Sequence, residues 1–186
     1  MRRNSVLVAK QVADIITVAR VLIAPLLIGI GIAKGSASLS LAVWLMIADW
    51  TGDLVDGILA RRSRRKYRSW IGDHDLEADI LVSLGLMIYL LAVDFVELPV
   101  VGVYLLFWAL IFWRWGFHRS LGMLFQAPIY FFFLVVSIRE APRPGLWILV
   151  WMLSVTVITW PKAIEDTIPG FLDGMRSAIQ AYKRNE

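Results

Sequence analysis

Two acidic pairs stand in the one polar stretch that is flanked by long apolar runs. They are Asp53-Leu54-Val55-Asp56-Gly57-Ile58-Leu59-Ala60-Arg61 and Gly72-Asp73-His74-Asp75-Leu76-Glu77-Ala78-Asp79. Carboxylates next to hydrocarbon are costly unless a cation compensates them. On helices, Asp53 and Asp56 are spaced i,i+3 and Asp75 and Asp79 i,i+4, so each pair points from one face. Four convergent carboxylates make a site for hard divalent cations. Mg2+ or Mn2+ prefers such oxygen donors, and two of these ions could clamp a diphosphate. A phosphorylated substrate is implied, and a site this close to lipid implies that at least one reactant or product is a lipid.

The residues around the acids refine that expectation. Gly52, Asp53, Asp56, Gly57 and Ala60 share one helix face. Small residues in a membrane helix commonly admit a neighbouring helix. Here Gly57 and Ala60 beside Asp56 also leave room for a polar ligand, with Arg61 one turn beyond Gly57 to meet its anionic groups. Arg62 through Arg68 reads as a basic loop touching lipid head groups. Asp73 suits a helix N-terminus, and Glu77 suits a salt bridge to the basic loop. Asp49, one turn before Asp53 on the same face, supports the site from behind or is protonated and hydrogen-bonded to another helix.

The elements that must hold these groups are membrane helices. The 186 residues are 59% hydrophobic, and the mean hydropathy is +0.67, well above an ordinary globular mix. Apolar runs at 12–33, 37–60, 73–94, 98–117, 119–138 and 144–160 are each of the order of the ~20 residues a spanning helix needs. The expected fold is all-α: an integral membrane protein of six transmembrane helices with amphipathic terminal segments, forming a single domain over 1–186. Of the 19 Lys and Arg residues, only Lys34, Arg139 and Arg143 fall on one side of that topology. The positive-inside bias puts both termini and the acidic site at the cytoplasmic face of the membrane. The net charge of +4 therefore records topology and gives no support to nucleic-acid binding. Arg2 and Arg3 before an apolar run raise the alternative of a signal peptide, but the run is too long and contains Arg20, so it reads as a first helix. The absence of cysteine removes disulfides, thiolate metal sites and thiol catalysis.

The run Asp53-x-x-Asp56-Gly57-x-x-Ala60-Arg61, followed after a basic loop by Asp75-x-x-x-Asp79, resembles the signature of the CDP-alcohol phosphotransferases, integral membrane enzymes of phospholipid biosynthesis. Asp14-x-x-Thr17-x-x-Arg20, with Pro25 following, is similar to the N-x-x-T-x-x-R element that often opens that family. Two positions depart from the pattern. With Asp75 and Asp79 in register, Ile71 occupies the family's glycine position and Gly72 is displaced by one; and Asp14 replaces the asparagine. The resemblance implies that an acceptor hydroxyl attacks the β-phosphorus of a CDP-linked alcohol such as CDP-diacylglycerol, releasing CMP. It also implies that Asp53, Asp56, Asp75 and Asp79 hold two divalent metal ions, that Gly57, Ala60, Arg61 and Gly72 receive the CDP moiety, and that Asp79 is the general base. Asp14, Thr17 and Arg20 are candidate substrate contacts on the same ground.

Arg114 and Arg119, with His118 between them, could bind a phosphate on the acceptor, or equally anchor the helix ends at the interface beside Trp113, Trp115 and Phe117. The tail beyond Lys162 places Phe171, Leu172, Met175, Ala178, Ile179 and Tyr182 at helical spacing, as for an amphipathic helix on the membrane surface. The family commonly forms homodimers, and Gly102, Gly116 or Gly122 could serve such packing. Two other classes use similar acids: a divalent-cation transporter, and a membrane prenyltransferase with its Mg2+-bound diphosphate. The first predicts polar groups continuing across the membrane. Leu121–Ile138 holds only Gln126, Ser137 and Tyr130, and Leu146–Trp160 only Ser154 and two threonines. The second usually needs a longer chain.

Overall fold

A charged residue in the middle of an apolar helix has to find its partner on another helix, and Arg20 does so at a hairpin. The computed structural model describes the backbone of residues 2–62, 75–162, 169–173 and 175, and the side chains of residues 15–55, 76–160, 169–173 and 175. Helix α1 spans Arg2–Lys34 and α2 spans Leu39–Arg62. Gly35, at φ +57°, lies in the left-handed region that glycine enters without steric cost, and it opens a 3-10 turn over Gly35–Ser38. Ser38 Oγ donates to the Gly35 carbonyl at 2.6 Å and lies 3.1 Å from the Tyr89 hydroxyl. The turn reverses the chain, so Ile16 and Arg20 of α1 lie against Gly52 of α2.

Helix α3, Asp75–Ala92, runs parallel to α1 and packs on it through small residues. The sequence order of the contacts shows the direction: Ala24 meets Gly85, and Gly31 meets Tyr89 further along both helices. At Gly85 a Cβ would sit 2.6 Å from Ala24 Cβ and 2.7 Å from its Cα. Backbone cannot yield as a flexible side chain does, so Gly85→Ala is expected to destabilise the protein by about 1–3 kcal/mol through overpacking. Thermal unfolding in detergent checks this; an unchanged midpoint would mean that α1 and α3 are not in close contact. Leu27, Val43, Met46, Val82, Leu86 and Tyr89 fill the interior of this unit, each fully buried.

These three helices form one compact unit, Met1–Val93, and residues Asp94–Glu186 form a second. The second holds α4 (Leu98–Trp115), α5 (Arg119–Glu140) and α6 (Pro142–Lys162). Tyr104 of α4 donates its hydroxyl hydrogen bond to the Phe125 carbonyl of α5, and Trp108 meets Phe125 edge-on with ring centroids 5.7 Å apart. Gly145 of α6 lies so close to the Ser137 carbonyl of α5 that a Cβ would fall 2.6 Å from its oxygen. Backbone at 169–173 and 175 is helical, and Ser120 Oγ donates to the Phe171 carbonyl at 3.2 Å. The other tail positions, including Ala178, Ile179 and Tyr182, lie outside the described residues.

The protein is all-α, with no strand among the described residues, and it is a multi-pass membrane protein. Among the described residues, four helical stretches are long and apolar enough to cross a membrane: Ile15–Val55, Leu98–Trp115, Arg119–Glu140 and Pro142–Trp160. Among the described residues these four stretches do not by themselves make up the six expected spans. The first stretch takes in both spans expected over 12–33 and 37–60, folded back at Gly35. Helix α3 is not among the four; Asp75, Glu77 and Asp79 lie in its first turns, and an apolar run follows from Ile80.

Candidate functional site

The guanidinium of Arg20 gathers carboxylates from two other helices. Its Nε donates to Oδ1 of Asp49 at 3.1 Å, its Nη1 meets Oδ1 of Asp53 at 3.0 Å, and its Nη2 donates to Oδ1 of Asp79 at 2.5 Å. Arginine suits this task because its planar fork offers several donors in fixed directions, so one side chain can satisfy acceptors arriving from different sides. Burial grades across the cluster. Arg20 and Asp49 are 4% and 1% exposed, Asp79 is 26% exposed, and Asp53 is 50% exposed. The cluster thus runs from a closed end at Asp49 to an open end at Asp53.

Local sequence explains how so polar a group fits among apolar helices. Gly52 lies under the stem of Arg20, where an added Cβ would approach Arg20 Cδ to 3.3 Å. The small residue next to Asp53 makes room for the arginine that binds Asp53. Asp49 and Asp53 are i,i+4 on α2 and so present their carboxylates to the same cation. Asp79 comes from the second turn of α3, beside buried Ala78, while Glu77 is exposed. A buried ion pair is retained only where geometry and further hydrogen bonds offset desolvation. Three carboxylates on one guanidinium meet that condition.

Among the sequence-derived candidates, the structure brings Asp53, Asp79 and Arg20 together. Thr17, one turn before Arg20 on α1, is buried. Asp14 on α1, Asp56, Gly57, Ala60 and Arg61 on α2, and Asp75 at the start of α3 lie on described helices, but their side chains fall outside the described residues, as does Gly72 entirely. Among the described residues, no group of three or more His, Asp or Glu side chains has the arrangement of a metal site. Arg114 and Arg119 belong to the second unit, at the end of α4 and the start of α5, and both are exposed. The Arg114 guanidinium lies 6.0 Å from the Trp115 ring centroid. His118 precedes α5 in extended backbone, its Nδ1 3.4 Å from the Gly116 carbonyl oxygen.

The sequence pattern assigns Arg20 to substrate, whereas its described partners are the acids themselves. The signal was available: Arg20 lies well inside the first apolar run, and a buried cation there calls for an anion on a neighbouring helix. Asp49, expected to support the site from behind or to be protonated and hydrogen-bonded to another helix, accepts a hydrogen bond from Arg20 of α1. No family model, no curated protein and no solved structure matches this chain.

Proposed function

We propose that the protein is a metal-dependent CDP-alcohol phosphotransferase of phospholipid biosynthesis. It transfers a substituted phosphate, a phosphatidyl group where the donor is CDP-diacylglycerol, to a small acceptor alcohol and releases CMP. The observation that supports this most is the convergence of Asp53 from α2 and Asp79 from α3 on one cationic centre, within the residue pattern that resembles the family signature. The donor set fits Mg2+ or Mn2+: all its members are carboxylates, and two of them already reach a common cation. Asp56 and Asp75 complete the proposed ligands.

Two such ions, when bound, would neutralise charge on the diphosphate and on the departing CMP. The remaining work falls to the chain. Gly57 and Ala60 leave room for the CDP moiety, and Arg61 meets its phosphates. Gly72 adds to that pocket, and Asp14 and Thr17 approach the substrate from α1. Asp79 accepts the proton of the acceptor hydroxyl as its oxygen bonds to the β-phosphorus. The bond from that phosphorus to the bridging oxygen breaks, and CMP carries away the electron pair. Six spans, a site and both termini at the cytoplasmic face, and a homodimeric assembly belong to the same proposal.

The test is CMP release by the purified protein from CDP-diacylglycerol, with Mg2+ and a panel of small alcohols and alcohol phosphates. CMP formed in proportion to acceptor consumed is the expected result. Its absence with every acceptor overturns the reading; Mn2+ flux into proteoliposomes without CMP would establish a transporter, and diphosphate release from a prenyl donor a prenyltransferase.

A further inference from the structure

The buried Arg20–Asp49 pair takes no part in the proposed chemistry, yet both of its side chains are almost fully enclosed. Arg20 meets the three carboxylates through three different nitrogens: Nε is held by Asp49, while Nη1 and Nη2 take one oxygen each from the two outer carboxylates. A cation beside metal ligands can act in two ways. Left loose, it competes with the metal for their oxygens. Held in place by a separate anion, it instead fixes the ligands' positions and relieves their mutual repulsion before the metal arrives. Asp49 is that separate anion, being 1% exposed and one turn further into the bundle than Asp53.

We propose that Arg20 and Asp49 act as one positioning unit, which presets Asp53 and Asp79 for divalent cations without touching substrate. This rests on the metal reading above. The geometry explains why the unit needs arginine. A lysine ammonium is a single point of charge on a flexible stem, with no fork to hold three carboxylates in fixed directions. It also explains the small residue at Gly52, since a side chain there would push on the Arg20 stem. Without the negative charge of Asp49, the guanidinium is drawn outward onto Asp53 and Asp79 and turns from support into competitor.

The experiment measures Mn2+ binding by the loss of the free-ion EPR signal, using the full chain in detergent, for the wild type, Arg20→Lys, Asp49→Asn and the double variant. Asp49→Asn keeps an acceptor oxygen for Nε and preserves volume, so the helices stay together; melting curves in chelator check this. Each single variant is expected to bind Mn2+ about tenfold more weakly, and the double variant no worse than the weaker single, because members of one unit are not additive. In CMP release, kcat should fall with little change in KM for the CDP-lipid. If Asp49→Asn is folded and binds Mn2+ as the wild type does, the pair only ties helices together and the inference is overturned. Stronger Mn2+ binding by Arg20→Lys would also overturn it, by showing Arg20 to be a competitor. Wild-type protein that binds Mn2+ but releases no CMP overturns the proposed reaction and leaves the positioning unit standing; wild-type protein that binds no Mn2+ overturns both.

Discussion

In excess chelator, CMP release is expected to fall to background, and added Mg2+ or Mn2+ to restore it. The reason is electrostatic. In-line transfer at phosphorus asks little covalent chemistry of the protein and much neutralisation of charge; Arg20 is already committed to Asp49, Asp53 and Asp79, and Arg61, by the proposal, to the substrate. The same ions should stabilise the fold. Arg20 offsets only one of the charges on the three aspartates it holds, so unrelieved repulsion remains in the metal-free protein. Binding at a hundred times the dissociation constant adds about 2.7 kcal/mol, enough to read as a raised melting temperature. Chelator should therefore lower both turnover and melting temperature, and Mg2+ should recover them over the same concentration range. Undiminished CMP release in chelator would sink the two-metal mechanism, whatever the melting curves show.

How much of this was legible beforehand differs by residue. Helix positions follow closely from hydropathy because a membrane helix must be apolar along most of its length. The expected fourth span, 98–117, meets the observed Leu98–Trp115, ended by Gly116 at φ +75°. The expected first span, 12–33, falls short of α1, which begins at Arg2: Arg3, Asn4 and Lys10 interrupt apolarity without interrupting helix, since helical hydrogen bonding does not require an apolar sequence. The division into units at Val93 and Asp94 was not legible either. Compact units depend on which helices pack together, and periodicity along one helix does not reveal its neighbour.

Within the candidate site, spacing showed that Asp49, Asp53 and Asp56 share a face of α2, because helix geometry is local. It did not show that Arg20 joins them to Asp79. That contact depends on the turn at Gly35 setting residues 20 and 49 at one level, and on Gly85 letting α3 approach Ala24 closely enough for Asp79 to reach the guanidinium. A motif read along the chain names the acids. Only the packing shows the cation among them.

That cation shapes the expected behaviour of the proposed general base. Asp79→Asn keeps the size of the side chain and a single oxygen, open to Arg20 Nη2 or to a metal, and removes the basic carboxylate. It should bind CDP-diacylglycerol almost as the wild type does while kcat falls by about 10²–10⁴-fold, the usual contribution of a positioned proton acceptor. Asp56→Asn has no proton to lose in this mechanism. It should weaken metal and nucleotide binding together, and high Mg2+ should recover part of its turnover. Turnover of both variants across a Mg2+ titration, beside direct measurement of CDP-diacylglycerol binding, separates the two roles. Full rescue of Asp79→Asn by Mg2+ would make its carboxylate a ligand alone. In that case the hydroxyl proton must leave by another route, and a phosphate oxygen of the CDP-lipid is the nearest acceptor the reaction itself supplies.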